Sequence, residues 1–280
     1  MECALDGLFD YAGMFPPAER DLRTALHEYL AHRHENHACA LGCMVVDVNT
    51  LTVLQSEARD KIHDLQLSVI ATSENLEMVR HYLKEGLPIG MVEIKAADRG
   101  KIMHLKEHLP KDVSAYVEVS VEFRDASILD AINEAGLRAK LRMGGVVAEA
   151  FPSAASVAAM LKMLAERRMA FKATAGLHHP LRSRHRFTYQ PNSDSGLMHG
   201  FINLLCASAL LWFGGDIHEA TQLLEEQSPQ AFRITADAIR WRSWEWSANQ
   251  LREVRERFLM SIGSCSFTEP IRDLEAFGWL

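Results

Sequence analysis

The 280-residue chain predicts an α/β protein, a closed (β/α)8 TIM barrel. Three observations lead there. From residue 42 onward, short β-like runs alternate with amphipathic helical segments, the spacing of βαβ units and a parallel sheet. Several of the runs are apolar on one face and polar on the other: Ala115, Val117, Val119 and Val121 against Tyr116, Glu118 and Ser120, or Ala139, Leu141 and Met143 against Arg138, Lys140 and Arg142. Those polar faces carry charge on successive strands. A doubly wound sheet is covered on both sides, so its strands read as nearly continuous apolar runs. A barrel instead sets the apolar face against its helices and turns the other inward, toward a mouth open to substrate.

The elements follow in order. The first strand lies within "GLFDYAGMF" (7–15), followed by Pro16-Pro17 and a helix near 20–33. Strands two to seven are "CMVVDV" (43–48), "LQLSVIA" (65–71), "MVEIKA" (91–96), "AYVEVSV" (115–121), "RAKLRM" (138–143) and "AFKATA" (170–175). Helices such as "SENLEMVRHYLKEG" (73–86) and "ASILDAINEAG" (126–136) open near N-cap residues and close on glycine. The eighth strand is "FLMSIGS" (258–264), followed by a short terminal helix. Between strands seven and eight, 177–257 holds a basic and polar loop, the apolar helix "FINLLCASALLWF", a β-hairpin over 232–247 and the helix "ANQLREVRERF". The expectation is one barrel domain over 1–280, with 177–257 inserted in it as an elaborated connection or lid. In the hairpin, Trp244 and Trp246 share a face with Arg240 and Arg242 and are expected to pack onto the barrel.

Net charge is −7, with no long basic run, which argues against nucleic acid or an anionic membrane as partner. The apolar helix is too short to span a bilayer. Five scattered cysteines without a CxxC pair, and no signal peptide, fit reduced thiols and a cytoplasmic location. A homo-oligomer is the default expectation. The histidines of "EYLAHRHENH" (28–37) read as a solvated helix end.

Projected together, the inward faces give Asp47, Ser68, Glu93, Lys95, Glu118, Ser120, Lys140, Arg142, Lys172 and Thr174, with Asp10 and Tyr11 from the first strand. Such charges either pair into a network that fixes register or carry chemistry at the strand ends; a purely stabilising interior is dominated by branched apolar residues. A lysine is nucleophilic only when neutral, and a nearby cation lowers its pKa. Lys140, flanked by Arg142 and Lys172, would then form a Schiff base with a carbonyl substrate while Glu118 or Glu93 moves protons. Arg142 would hold a carboxylate or phosphate.

These motifs resemble deoxyribose-phosphate aldolase, of the class I aldolase superfamily. The likeness runs in order through "GCMVVDV", "MVEIKAA", "YVEVSVEF", "AKLRMGG", "FKATAGL" and "IGSCSF". It implies a carbon–carbon lyase acting on a small anionic carbonyl compound, an oxo acid or sugar phosphate, with no cofactor. Lys140 would be the Schiff-base lysine, Lys172 the neighbour that lowers its pKa, and Glu93 a proton relay. Gly144, Gly145, Gly176, Gly263 and Ser264 would form a phosphate-facing rim. The chain departs from the family at Leu141-Arg142-Met143, at His178-His179-Pro180 and at Glu269, and it also resembles uncharacterised bacterial proteins of similar length. Two alternatives remain: a metal-dependent lyase, hydrolase or isomerase using His178, His179 and His199 with barrel carboxylates, and a non-catalytic binding barrel. Without HxH or HExxH spacing, a general acid–base or substrate-binding role suits the histidines better.

Overall fold

A computed structural model describes residues 2–95, 98–110, 112–122 and 126–280. Thirteen strands and eleven α-helices occur among them. The first half runs α1 (Glu2–Leu5), β1 (Phe9–Tyr11), α2 (Leu22–His32), β2 (Leu41–Asp47), α3 (Leu51–Ala58), β3 (Leu67–Ala71), α4 (Leu76–Lys84), β4 (Ile89–Lys95), α5 (Arg99–His108), β5 (Ser114–Val119) and α6 (Ala126–Ala135). The second half runs β6 (Arg138–Arg142), α7 (Ala154–Glu166), β7 (Phe171–Thr174), β8 (Ser183–Arg186), β9 (Ser195–Met198), α8 (Phe201–Trp212), α9 (Ile217–Glu225), β10 (Phe232–Ile234), β11 (Ala238–Trp241), β12 (Trp244–Ser247), α10 (Ala248–Arg257), β13 (Leu259–Ser264) and α11 (Thr268–Ala276).

Eight parallel strands close the barrel in the order β1-β2-β3-β4-β5-β6-β7-β13. The strand positions agree with the sequence reading to within one or two residues, except that β5 stops at Val119 and Ala96 of the fourth run lies outside the described residues. Alternation decides what each strand buries. Val117, Val119, Ala139 and Leu141 join the core between sheet and helices, whereas Tyr116, Glu118 and Lys140 turn inward.

The helices start where side chains cap them. Asp21 accepts from the Thr24 amide, Asp98 from Lys101 and Ser153 from Ser156, satisfying amides that a helix N-terminus leaves bare. In α2 the buried residues Ala25, Leu26, Tyr29 and His32 recur at helical spacing and face the barrel. His32 corrects the expectation of a solvated helix end: it is buried against Tyr11 and Phe267, while His34 is exposed. Tyr11 is likewise corrected, because alternation in so short a strand sends Asp10 inward and Tyr11 outward, where its hydroxyl donates to Glu28 of α2.

In the seventh connection, every residue of α8 is buried, with α7, α9, α10 and β13 as neighbours. The stretch 232–247 is a three-stranded antiparallel sheet, not a hairpin, because Phe232–Ile234 adds the strand β10 to β11 and β12. Register also corrects its faces. Trp241 pairs with Trp244, and Trp244 stacks on Trp246 at 6.1 Å, whereas Arg240 pairs with Glu245 on the opposite face and Arg242 lies in the turn. The indoles pack on the α9 side, Trp244 donating to Glu219 and Trp241 to Glu226.

Candidate functional site

Position sets the interior before chemistry does. Lys140 and Lys172 are register partners on β6 and β7, and Glu118 on β5 is register partner to Lys140. The two lysines do not confront each other directly, because Glu93 from β4 lies between them. Its Oε1 accepts from Lys172 at 2.5 Å and its Oε2 from Lys140 at 2.8 Å. Each lysine has a second carboxylate: Asp10 for Lys172 at 2.6 Å, Glu118 for Lys140 at 2.9 Å. Ser261 donates to Asp10 at 2.6 Å and Ser68 to Glu93 at 2.7 Å. The result is an alternating ladder, Asp10–Lys172–Glu93–Lys140–Glu118, crossing the barrel. Gly42 allows its first rung, since a Cβ there would stand 2.4 Å from the Asp10 carboxylate.

The ladder is graded in depth. Lys172, Asp10 and Glu93 are sealed, Lys140 is nearly so, the Glu118 side chain is 15% exposed, and that of Lys95, 3.8 Å beyond Glu118, is 77% exposed. Burial alone would raise the Glu93 carboxyl, but Lys172 and Lys140 overcome it and hold that carboxyl far below the usual range. Burial alone would pull Lys172 toward neutrality; Asp10 and Glu93 reverse this and hold it above the ordinary lysine range. Glu93 therefore stands between Lys172 and Lys140, where the sequence reading set the two lysines against each other directly. Buried this deeply, Glu93 serves as countercharge to both lysines.

Above Lys140 opens a cavity of about 190 Å³, lined by Lys140, Arg142, Thr174, Gly176, His178 and Cys265, with Gly145, Gly263 and Phe15-Pro16-Pro17 also on its wall. Gly144 and Ser264 do not line it. The Phe151 ring lies against Gly144 and Gly176, where an added Cβ would come within 2.5 Å of it, and Gly176 has φ +70° besides. The Ser264 hydroxyl donates to the Ser266 carbonyl and stands 3.3 Å from His178 Nδ1. Of the expected rim, Gly145, Gly176 and Gly263 thus line the cavity and Gly144 and Ser264 do not. Burial pushes His178 down to about 4, so it enters the cavity wall as neutral imidazole.

His179 sits behind it, bound to Asp273 at 2.6 Å and stacked on His185. His199 donates to the Pro152 carbonyl and accepts from Arg182. The three histidines of the metal alternative thus have separate partners, and no group of three His, Cys, Asp or Glu side chains suited to a metal ion occurs among the described residues. Ser261, Cys265, Phe15 and Phe151 are site residues that sequence reasoning missed. Alternation along β13 from Gly263 marks Ser261 as inward; the others arrive through loops, which leave no periodic signal.

No family model and no curated protein matches the chain. Among solved structures, the spore cortex-lytic enzyme SleL of Bacillus megaterium QM B1551 is similar at 11% identity over 97% of this chain and 73% of that one, with a TM-score of 0.44. So slight a likeness transfers no activity from one chain to the other. The expectation of a class I aldolase lyase is corrected by the interior itself, where both lysines are bound between carboxylates instead of facing each other. The barrel itself stands on its closed parallel sheet.

Proposed function

We propose that the barrel mouth is an active site for proton transfer on a small anionic compound, next to its carbonyl or carboxyl carbon. The observation that carries this reading is the Lys140–Glu118 pair: Lys140 lines the cavity together with Arg142, Glu118 lines an adjoining opening that Arg142 also lines, and Arg142 has no ion-pair partner among the described residues. Glu118 is the base. It is the outermost carboxylate of the ladder, and among the described residues the ion-pair partner of its second oxygen is Lys95, at 3.8 Å. It removes a proton from the carbon beside the carbonyl, and the electron pair moves onto the carbonyl oxygen. Lys140 donates a hydrogen bond to that oxygen, where preorganised donors lower the barrier most. Arg142 anchors the substrate's anionic group, and return of the proton to another face or atom completes an isomerisation that needs no oxidant or reductant.

Proton exchange in D2O, followed by NMR over 2-oxo acids, 2-hydroxy acids and sugar phosphates, tests the reading. The wild type exchanges the α-hydrogen of at least one compound; Glu118→Gln and Lys140→Met each slow this by about a hundredfold or more. Silence across the panel, or full exchange by Glu118→Gln, overturns it. Borohydride treatment with the same carbonyl compounds leaves Lys140 unmodified; a stable adduct there would overturn its role as donor.

A further inference from the structure

A second cavity, of about 220 Å³, meets the first at Ile70, Glu93 and Lys140, the residues that line both. It opens over β2, β3 and β4 rather than over β6, β7 and β13. Its chemistry is different. Asp47, Asn49, Thr72 and Asn75 form its polar rim, and Ile70, Ala71 and Ile94 its apolar side. Its other carboxylates, Glu93 and Glu118, are engaged by Lys140, Lys172 and Lys95, so among the described residues no unpaired cation lines it.

The rim groups are fixed by local structure. Asp47 uses Oδ1 alone to accept from the Asn49 amide and side chain, at 2.8 and 2.7 Å. Asn75 uses its Oδ1 to accept from the Thr72 amide at 2.7 Å, which commits its carbonyl and not its NH2. What remains is a carboxylate acceptor from Asp47 and amide donors from Asn75, beside an aliphatic patch, the Thr72 hydroxyl being engaged by the Asn75 backbone amide. Hydroxyl groups on a carbon chain both donate and accept and carry C–H faces between them, so they match such a surface where a charged group does not.

We infer that the cavity over β2–β4 is a polyol subsite, and that the substrate is a polyhydroxylated acid, its anionic end under Arg142 and its hydroxylated end between Asp47, Thr72 and Asn75. This rests on the anionic substrate proposed above and adds the opposite end. Lys140 then lies under the join of the two halves, where the reacting carbon must be.

Calorimetric binding of matched acids separates the two readings. D-gluconate and D-galactonate carry the hydroxyls, and hexanoate has the same carboxylate and chain length without them. The wild type binds at least one of the sugar acids about tenfold or more tighter than hexanoate, the yield of one or two well-placed hydrogen bonds. Asp47→Asn, which keeps the oxygen facing Asn49, reduces that preference to threefold or less and leaves hexanoate unchanged, while Arg142→Ala weakens all the acids together. Equal affinity for sugar acids and hexanoate in the wild type overturns the polyol subsite and leaves the anion site standing. Equal loss of both classes in Asp47→Asn also overturns it, as a general disturbance of the rim. Failure of every acid to bind overturns the anionic substrate and the subsite with it.

Discussion

At the residue scale, Glu93 is the side chain on which the interior depends. It is 2% exposed and compensates two ammonium groups at once. Removing one partner of a buried ion pair leaves an uncompensated charge and costs about 3–5 kcal/mol, far more than an exposed pair contributes. Glu93→Gln, which keeps the shape, should lower unfolding free energy by about 3 kcal/mol in urea titrations. Lys172→Met should do comparable damage by removing the ammonium partner of the buried Asp10. The double variant should lose clearly less than the sum, because the second change removes the charge stranded by the first. Additive losses would show that the two are not coupled. Alternation showed that these residues face inward; which oxygen meets which nitrogen depends on strand stagger.

At the element scale, α8 shows what burial on every side demands. A helix without a polar face has nowhere to place Asn203, yet that residue is fully buried. Its Oδ1 accepts from the Arg182 amide at 2.9 Å, and its Nδ2 donates to the Leu223 and Glu226 carbonyls at 2.7 and 2.9 Å. One side chain thus ties α8 to the loop after β7 and to the end of α9. Asn203→Leu keeps the branched outline of the side chain and strands those backbone groups, so the midpoint of urea unfolding should fall by the equivalent of about 2 kcal/mol or more. A stability within about 0.5 kcal/mol of wild type would show that water or rearrangement replaces those bonds. The helix itself was legible from its unbroken apolar run. The third strand beside β11 and β12 was not, because "FRI" is too short for a period to register and forms a strand only by pairing with Ala238–Trp241.

At the scale of the whole molecule, the barrel's charge arrangement predicts its response to acid. His178 and His199 have pKa values lowered to about 4 from an ordinary 6.5, burial being the first cause in each. A histidine lowered on folding binds more protons unfolded than native between those values. Its contribution is therefore complete above 6.5 and is lost as pH falls toward about 4. Glu93, lowered from 4.5, contributes above that value and begins to lose its contribution only below it. Urea unfolding should consequently show stability falling between pH 7 and 5, before the carboxylates titrate, and His178→Asn with His199→Gln should flatten that slope. An unchanged slope in the double variant would assign the acid sensitivity to other groups. No helix among the described residues is long and apolar enough to cross a membrane.

The sequence by itself determined the barrel and its polar interior, because both follow from periodicity: a strand turns alternate residues to opposite faces whatever its neighbours are. It also determined that Lys140, Glu118 and Arg142 share an inward face. Only the tertiary structure decided how those charges pair. Interposing Glu93 between Lys140 and Lys172 is a matter of strand stagger and side-chain reach across a closed sheet, and Coulomb interactions over about 3 Å change sign with that choice. It likewise decided that Phe151 packs against two of the expected rim glycines and that a second cavity opens over β2–β4. Loops place those features, and no short-range pattern in the chain records where a loop comes to rest.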